Sequence, residues 1–173
     1  EKSDNKMKIL TKGGIKTVEK NMHPAYAWFN GKHHRYIKGD TVELKGVVNF
    51  NIPDGDISDP SAKITPYKIL RTNQAADAEY KYLIAPHLIG KDGLFKTRDI
   101  QKSSTIGMKA AGLKFSGKVT FVETRMYWRI NHGVVPKNEA LSCLNCHSPS
   151  SVMDFKALGY KGDPAKVGSR FTK

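Results

Sequence analysis

Both cysteines of the chain fall in one pentapeptide, Cys143-Leu144-Asn145-Cys146-His147, and this feature constrains the chain more than any other. The spacing C-x-x-C-H is typical of covalent c-type haem attachment, in which each thiol adds across one vinyl group of the porphyrin. The histidine that follows directly is then carried under the iron as its proximal ligand. The sequence therefore predicts one covalent haem c, held by Cys143 and Cys146, with His147 as an iron ligand.

The two cysteines have three other possible interpretations. A thioredoxin-like redox pair needs a βαβ setting with the first cysteine opening a helix, whereas here the motif is expected to end one. A structural zinc site needs four ligands, and the sequence holds no second C-x-x-C. A plain disulfide is disfavoured across so short a loop. Haem attachment is the interpretation that the residues favour.

Composition limits the class of protein and of partner. The 173 residues carry 29 Lys and Arg against 16 Asp and Glu, a formal charge of +13. No stretch approaches the roughly 18 consecutive apolar residues of a membrane span, so no transmembrane segment is expected. The basic residues are scattered and form no arginine cluster, so nucleic acid is not an expected partner. The charge instead favours docking on an acidic redox protein or a multihaem cytochrome.

The cellular location follows from the cofactor. Bacteria attach haem c outside the cytoplasm, after export of an unfolded chain, and this chain has no cysteine left over. It also begins at Glu1 rather than Met, which agrees with a processed or cut N-terminus. The expected location is therefore periplasmic or extracellular.

Local patterns predict an α+β, loop-rich single domain. A flexible basic arm is expected over 1–20, followed by a haem domain over 21–173. Extended segments are expected over 64–71 and 80–88. Because proline cannot donate a ladder hydrogen bond, Pro66 and Pro86 indicate that these are edge or irregular strands.

Two helices are expected in the second half of the chain. One begins at Asp99, runs to about Ala111 and stops at Gly112. Another covers 137–146 after Pro136 and delivers the haem motif, so the domain should carry a C-terminal haem-bearing helix. One more helical turn is expected over 153–158.

A second iron ligand is expected on the opposite face of the haem. His132 lies 15 positions before His147, and a helix from 136 to 147 would span roughly 18 Å. The preceding residues can fold back by roughly 13 Å, with Gly133 supplying backbone freedom. His132 is therefore the favoured second ligand and His87 the alternative. Two His ligands give a lower reduction potential than a His and Met pair.

Several stretches resemble the C-terminal region of octahaem tetrathionate reductase-family cytochromes c. The resemblance covers roughly residues 20 to 165, in order, and includes the pentapeptide itself. The matching stretches are 24–31, 35–36, 39–40, 55–57, 86–87, 126–137, 140–141, 143–147, 153–160 and 162–164.

The resemblance implies the outermost electron-transfer haem module of that family, outside the cytoplasm and with two His ligands, His132 being in a suitable position. Family members carry eight haems, and their active-site haem, with a Lys ligand, lies in an N-terminal region that has no counterpart here. The resemblance therefore does not extend to reduction of tetrathionate, nitrite or hydroxylamine.

We expect a monohaem c-type cytochrome that carries single electrons, rather than an enzyme. The main rival is a C-terminal module or subunit of a larger multihaem oxidoreductase complex reducing sulfur or nitrogen oxyanions. A haem sensor with an open distal position is a third hypothesis. Self-association or association with another chain stays open.

Overall fold

The computed structural model describes residues 6–11, 14–19, 22–133 and 135–170. Its seven strands and four short helices confirm the α+β class. The strands are β1 (Lys6–Thr11), β2 (Gly14–Glu19), β3 (Ala25–Phe29), β4 (His33–Arg35), β5 (Val47–Pro53), β6 (Lys63–Asp77) and β7 (Val119–Arg129). The helices are α1 (Leu94–Thr97), α2 (Ile100–Ala110), α3 (Cys143–Cys146) and α4 (Pro164–Val167), with a 3₁₀ turn at Lys137–Glu139. No helix of the described part of the chain is long and apolar enough to cross a membrane.

The strands form two sheets. β1 and β2 pair as an antiparallel hairpin, with Met7 opposite Val18. The other five strands form one sheet in the order β3-β6-β7-β5-β4. The hairpin occupies much of the predicted arm 1–20, whose remaining residues lie outside the described ranges. Flexibility of the arm, and a domain boundary after residue 20, stay predictions.

The extended segment predicted over 64–71 is confirmed as part of β6, but its predicted edge position is wrong, because β6 lies between β3 and β7. The Pro66 carbonyl accepts a hydrogen bond from the backbone N–H of Ile130, which follows β7. The carbonyl oxygen and the backbone nitrogen of Pro66 therefore both face the β7 side. β7 ends at Arg129, the residue before that contact. The missing N–H of Pro66 therefore faces the end of the β6–β7 pairing, where a donor is no longer needed. For this reason an interior strand tolerates the proline.

The predicted strand over 80–88 was also wrong, since this stretch is a loop with one isolated bridge, between Ala76 and Leu83. Backbone N–H groups of this loop donate hydrogen bonds to carbonyls of β6 and α2. Ile84 donates to the Ala75 carbonyl at 2.8 Å, and His87 donates to the Ser103 carbonyl at 2.9 Å.

The chain forms two compact units. The first comprises Glu1–Met22, Tyr36–Val48 and Arg71–Thr124. Its core contains Ala75, Tyr82, Ile84 and the fully buried Met108 of α2. The predicted helix is confirmed here: Asp99 caps α2 by accepting from the Lys102 N–H, and Gly112 follows the helix with φ +72°.

The second unit comprises His23–Arg35, Asn49–Leu70 and Arg125–Lys173. Its core centres on Trp28 of β3, Ala62 and Leu158. Partly buried side chains extend this core toward the haem motif: Tyr26, Ile57, Ile64, Met153, Phe155 and Tyr160. The C-x-x-C-H pentapeptide therefore belongs to a unit with an aromatic core of its own.

Candidate haem-attachment site

The two cysteines begin and end a one-turn helix, α3. Residues three apart lie on the same side of a helix, so the thiols of Cys143 and Cys146 share one face. Both are free thiols, with Cys143 exposed and Cys146 half-buried. Ser142 and Asn145 fix the start of the turn, because the Asn145 amide oxygen accepts from the Ser142 N–H at 2.7 Å and from its hydroxyl at 2.8 Å.

The long helix predicted over 137–146 is not what the structure has. The 3₁₀ turn Lys137–Glu139 ends at Ala140, whose backbone is extended (φ −64°, ψ 147°). A separate helix then starts at Cys143, so the expectation that the motif ends a helix was wrong: the first cysteine opens one. The cause is local, because Ser and Asn side chains that bond nearby backbone groups favour a new helix start over continuation of an old one. The 18 Å span used to place His132 therefore does not apply.

His147 caps α3 and is held at both its backbone and its ring. Its N–H donates to the Cys143 carbonyl at 2.8 Å. Its Nδ1 lies 2.6 Å from the Asp163 carboxylate, and its ring stacks on Phe155 with centroids 5.5 Å apart and planes at 14°. A carboxylate acceptor requires the proton on Nδ1, which leaves the Nε2 lone pair available for a metal.

Asp163 is fixed by its own local structure. It is the N-cap of α4, where its carboxylate also accepts from the Ala165 N–H at 3.0 Å, and Pro164 occupies the first helical position. The hydrogen bond from His147 is the main cause that lowers the pKa of Asp163 below its ordinary value, and the bond from Ala165 adds to it. The acceptor is therefore anionic at neutral pH.

An aromatic layer lies behind the His147 ring. Phe155 meets Tyr160 edge-on with centroids 5.9 Å apart, and Tyr160 lies 6.1 Å from Trp28. The guanidinium of Arg170 stands 4.4 Å from the Trp28 ring. These contacts join the imidazole to β3 through side chains of low flexibility.

The segment after the pentapeptide contains the single helical turn predicted over 153–158, although it does not extend into a helix. Leu158 donates to the Asp154 carbonyl at 3.2 Å, and Gly159 then reverses the chain at φ +87°. A β-carbon at Gly159 would lie 3.2 Å from the Ile57 side chain, so the turn packs closely on this unit.

The residues present fit haem c. The site offers two free thiols on one helical turn and an imidazole whose Nδ1 is already engaged. Large apolar side chains beside them face solvent: Leu144 is 72% exposed and Leu141 62%. Exposed leucines at this place are what a porphyrin face would cover. A groove of about 490 Å³ adjoins the site, lined among others by Met153, Phe155 and Asp163.

The two candidates for the second iron ligand belong to different compact units. His132 belongs to the same unit as the pentapeptide and is exposed. Within the described residues, no hydrogen bond or ring contact joins it to His147. His87 belongs to the other unit, where it is exposed in the loop before α1. Coordination by either residue stays a prediction.

Sequence reasoning missed Asp163 as the partner of His147. The available signal was the Asp-Pro pair, which predicts a helix N-cap. Nothing in the sequence indicates that this cap lies against the imidazole 16 positions earlier.

Fold and site together define a c-type cytochrome. Residues 1–150 match the family described as bacterial cytochrome c, a span that includes the pentapeptide. The chain belongs to this bacterial cytochrome c family, and membership implies covalently bound haem c with its iron.

A multihaem cytochrome has the same fold. The crystal structure of octaheme cytochrome c from Shewanella oneidensis matches with a TM-score of 0.83 and 37% sequence identity. The match covers 88% of this chain and 36% of that one, so this chain spans about a third of the length of that protein. The resemblance to multihaem cytochromes expected from the sequence is confirmed. No curated protein matches the chain.

Proposed function

We propose that the chain is a monohaem c-type cytochrome that carries single electrons. The observation that carries this proposal is the arrangement of Cys143 and Cys146 on one helical turn, followed by His147 with its Nδ1 engaged by Asp163. Such an arrangement presents two thioether-forming sulfurs and one nitrogen ligand to the same porphyrin.

Each residue has a defined task. Cys143 and Cys146 anchor the cofactor by thioether bonds, so it is retained through every redox cycle. His147 binds the iron through Nε2, and Phe155 covers one face of its ring. Once bound, haem iron supplies a centre that accepts and releases one electron. Rigid supports for the ligand keep the protein rearrangement on electron transfer small.

In this proposal His132 would be the second ligand of the iron. It stands between the end of β7 and the 3₁₀ turn, followed by Gly133 at φ +71°. An exposed histidine on such a connection has the freedom to turn onto a haem face. His87 is the alternative ligand. Two imidazole ligands favour a low-spin iron of low potential.

The proposed partner is an acidic redox protein or a multihaem cytochrome. A charge of +13 attracts such a surface over distances of about 10 Å at moderate ionic strength. The encounters are then fast and short-lived, and their rate falls as salt is added. The proposed location is periplasmic or extracellular, because haem c is attached outside the cytoplasm.

The proposal is tested by the haem content, native mass and spectrum of the purified protein. One haem per chain and a low-spin reduced spectrum that carbon monoxide does not change are expected. A reduced spectrum altered by carbon monoxide would favour a ligand-binding sensor. An absorption band of methionine-ligated ferric haem in the oxidised protein would contradict two His ligands.

A second candidate is a module or subunit of a larger multihaem oxidoreductase acting on sulfur or nitrogen oxyanions. It is favoured by the match to an octaheme protein of which this chain covers only 36%. The same measurements separate the two candidates. More than one haem per copy of this chain, in a complex of higher native mass, would favour the second.

A further inference from the structure

We propose that Asp163 is a positioning residue that lowers the reduction potential of the haem by accepting a hydrogen bond from the Nδ1–H of His147. This inference rests on the proposed function, because it takes His147 as an iron ligand. It adds a role for a residue that does not itself touch the iron.

The geometry of the contact is that of a charge-assisted hydrogen bond. The Nδ1 to Oδ1 distance of 2.6 Å is at the short end of such bonds. The imidazole is about one-third exposed and the carboxylate about one-sixth, so water competes only in part for either group. Phe155 stacks on the ring and limits its rotation.

The Asp163 carboxylate also accepts a hydrogen bond from the backbone. Its Oδ1 accepts the Ala165 N–H at 3.0 Å, because Asp163 caps α4. Pro164, with a fixed backbone angle, follows directly. The acceptor is therefore set in place by the backbone and does not depend on the histidine for its position.

The effect on the potential follows from charge. An anionic acceptor draws the Nδ1 proton and makes the imidazole a stronger electron donor through Nε2. A stronger donor stabilises ferric iron more than ferrous iron, because the ferric ion carries the greater charge. Asp163 therefore lowers the potential, and a neutral acceptor in its place raises it.

The chain offers a matched control in Asp154. This carboxylate lines the same groove and also caps a turn, accepting from the Ala157 N–H at 3.0 Å. Among the described residues, the Asp154 side chain forms no hydrogen bond with the imidazole. Asp154→Asn therefore removes the same charge from the same groove without changing the bond to His147.

The experiment is redox titration of the holoprotein with Asp163→Asn and Asp154→Asn. Asparagine is a good N-cap, so the turn at α4 should persist. We expect a clear rise in potential for Asp163→Asn that persists in high salt. Asp154→Asn should give a smaller rise that salt screening removes. Equal shifts in the two variants would overturn the inference.

A measurement on the unaltered protein keeps the inference testable if the Asp163 variant fails to fold. Proton NMR of the holoprotein should show the His147 Nδ1 proton in slow exchange with solvent, and rapid exchange would contradict the inference. A separate experiment tests the proposed function. If His147→Ala leaves covalent haem with an unchanged low-spin spectrum, His147 is not a ligand and both proposals fall. Equal potential shifts with His147 confirmed as ligand remove only the inference.

Discussion

The indole Nε1 of Trp28 donates a 2.8 Å hydrogen bond to the carbonyl of Leu158, 130 positions further along the chain. Both residues are buried, with exposures of 8% and 4%. The bond fastens β3 to the turn that follows the haem motif, and the aromatic layer behind His147 rests on it. The buried bond thus connects the packing of β3 with the segment whose side chains support the His147 ring.

Trp28→Phe keeps most of the aromatic packing and removes this hydrogen bond. The Leu158 carbonyl then lacks its indole donor in a buried site, which costs about 1–3 kcal/mol. Guanidinium denaturation of the holoprotein measures the loss. The matched control is Trp128→Phe, since Trp128 is 55% exposed and its change should stay within about 0.5 kcal/mol. Equal losses in the two variants would show that the Leu158 contact contributes nothing particular.

Asp77 should give the chain part of its resistance to acid. The side chain is fully buried and accepts from the N–H groups of Glu79, Tyr80 and Ser116 and from the Ser116 hydroxyl. Desolvation raises the pKa of Asp77, but these four hydrogen bonds outweigh it, so the pKa lies below its ordinary value.

The pH dependence follows from that direction. A lowered carboxyl pKa stabilises the fold above the unfolded value of about 3.9, and the stabilisation is lost as pH falls through the lower folded value. Asp77→Asn should therefore be less stable than wild type at pH 7, with the gap narrowing below about pH 4. Urea titrations at both pH values check this, with exposed Asp40→Asn as control. A difference in the free energy of unfolding between Asp77→Asn and wild type that stayed constant with pH would contradict this prediction.

Gly107 marks a close approach of α2 to the loop that carries His87. A β-carbon there would lie 1.9 Å from the Ala85 carbonyl oxygen and 2.6 Å from the His87 nitrogen. Gly107→Ala should therefore lower the thermal midpoint, although alanine is the better helix former by about 1 kcal/mol. Thr105→Ala, on the exposed side of α2, should change the midpoint little. A stabilised Gly107→Ala protein would mean that the contact is looser than the structure has it.

His132→Ala tests the second ligand. If His132 binds the iron, the variant loses its low-spin spectrum and its reduced form binds carbon monoxide. His34→Ala is the control, because His34 is exposed on β4 in the same unit. A His132→Ala protein that stays low-spin would remove this residue as ligand, and the same measurement on His87→Ala would then follow.

The sequence predicts local features of this molecule better than long-range ones. The cap at Asp99, the stop at Gly112 and the C-x-x-C-H pentapeptide depend on residues within a turn or two of each other. The strand predicted around Tyr82 failed because tertiary contacts satisfy that backbone, including a bond from the Leu83 N–H to the Tyr36 hydroxyl at 3.0 Å.

The candidate site shows the same division. Cys143, Cys146 and His147 form a local motif that can be identified from the sequence alone. Asp163 reaches the imidazole only because the chain turns back at Gly159 and begins α4 beside it. The helix predicted before the motif does not form as one piece, because Ser142 and Asn145 together start a new helix at that point.

The central claim is covalent attachment of one haem through Cys143 and Cys146, and intact mass spectrometry tests it most directly. The protein should be produced by export in a bacterium with a cytochrome c maturation system. The wild-type protein should have the mass of the chain plus one haem, and a Cys143→Ser, Cys146→Ser variant should have the mass of the chain alone. A wild-type mass equal to the chain minus two hydrogens, the mark of a disulfide, would contradict it.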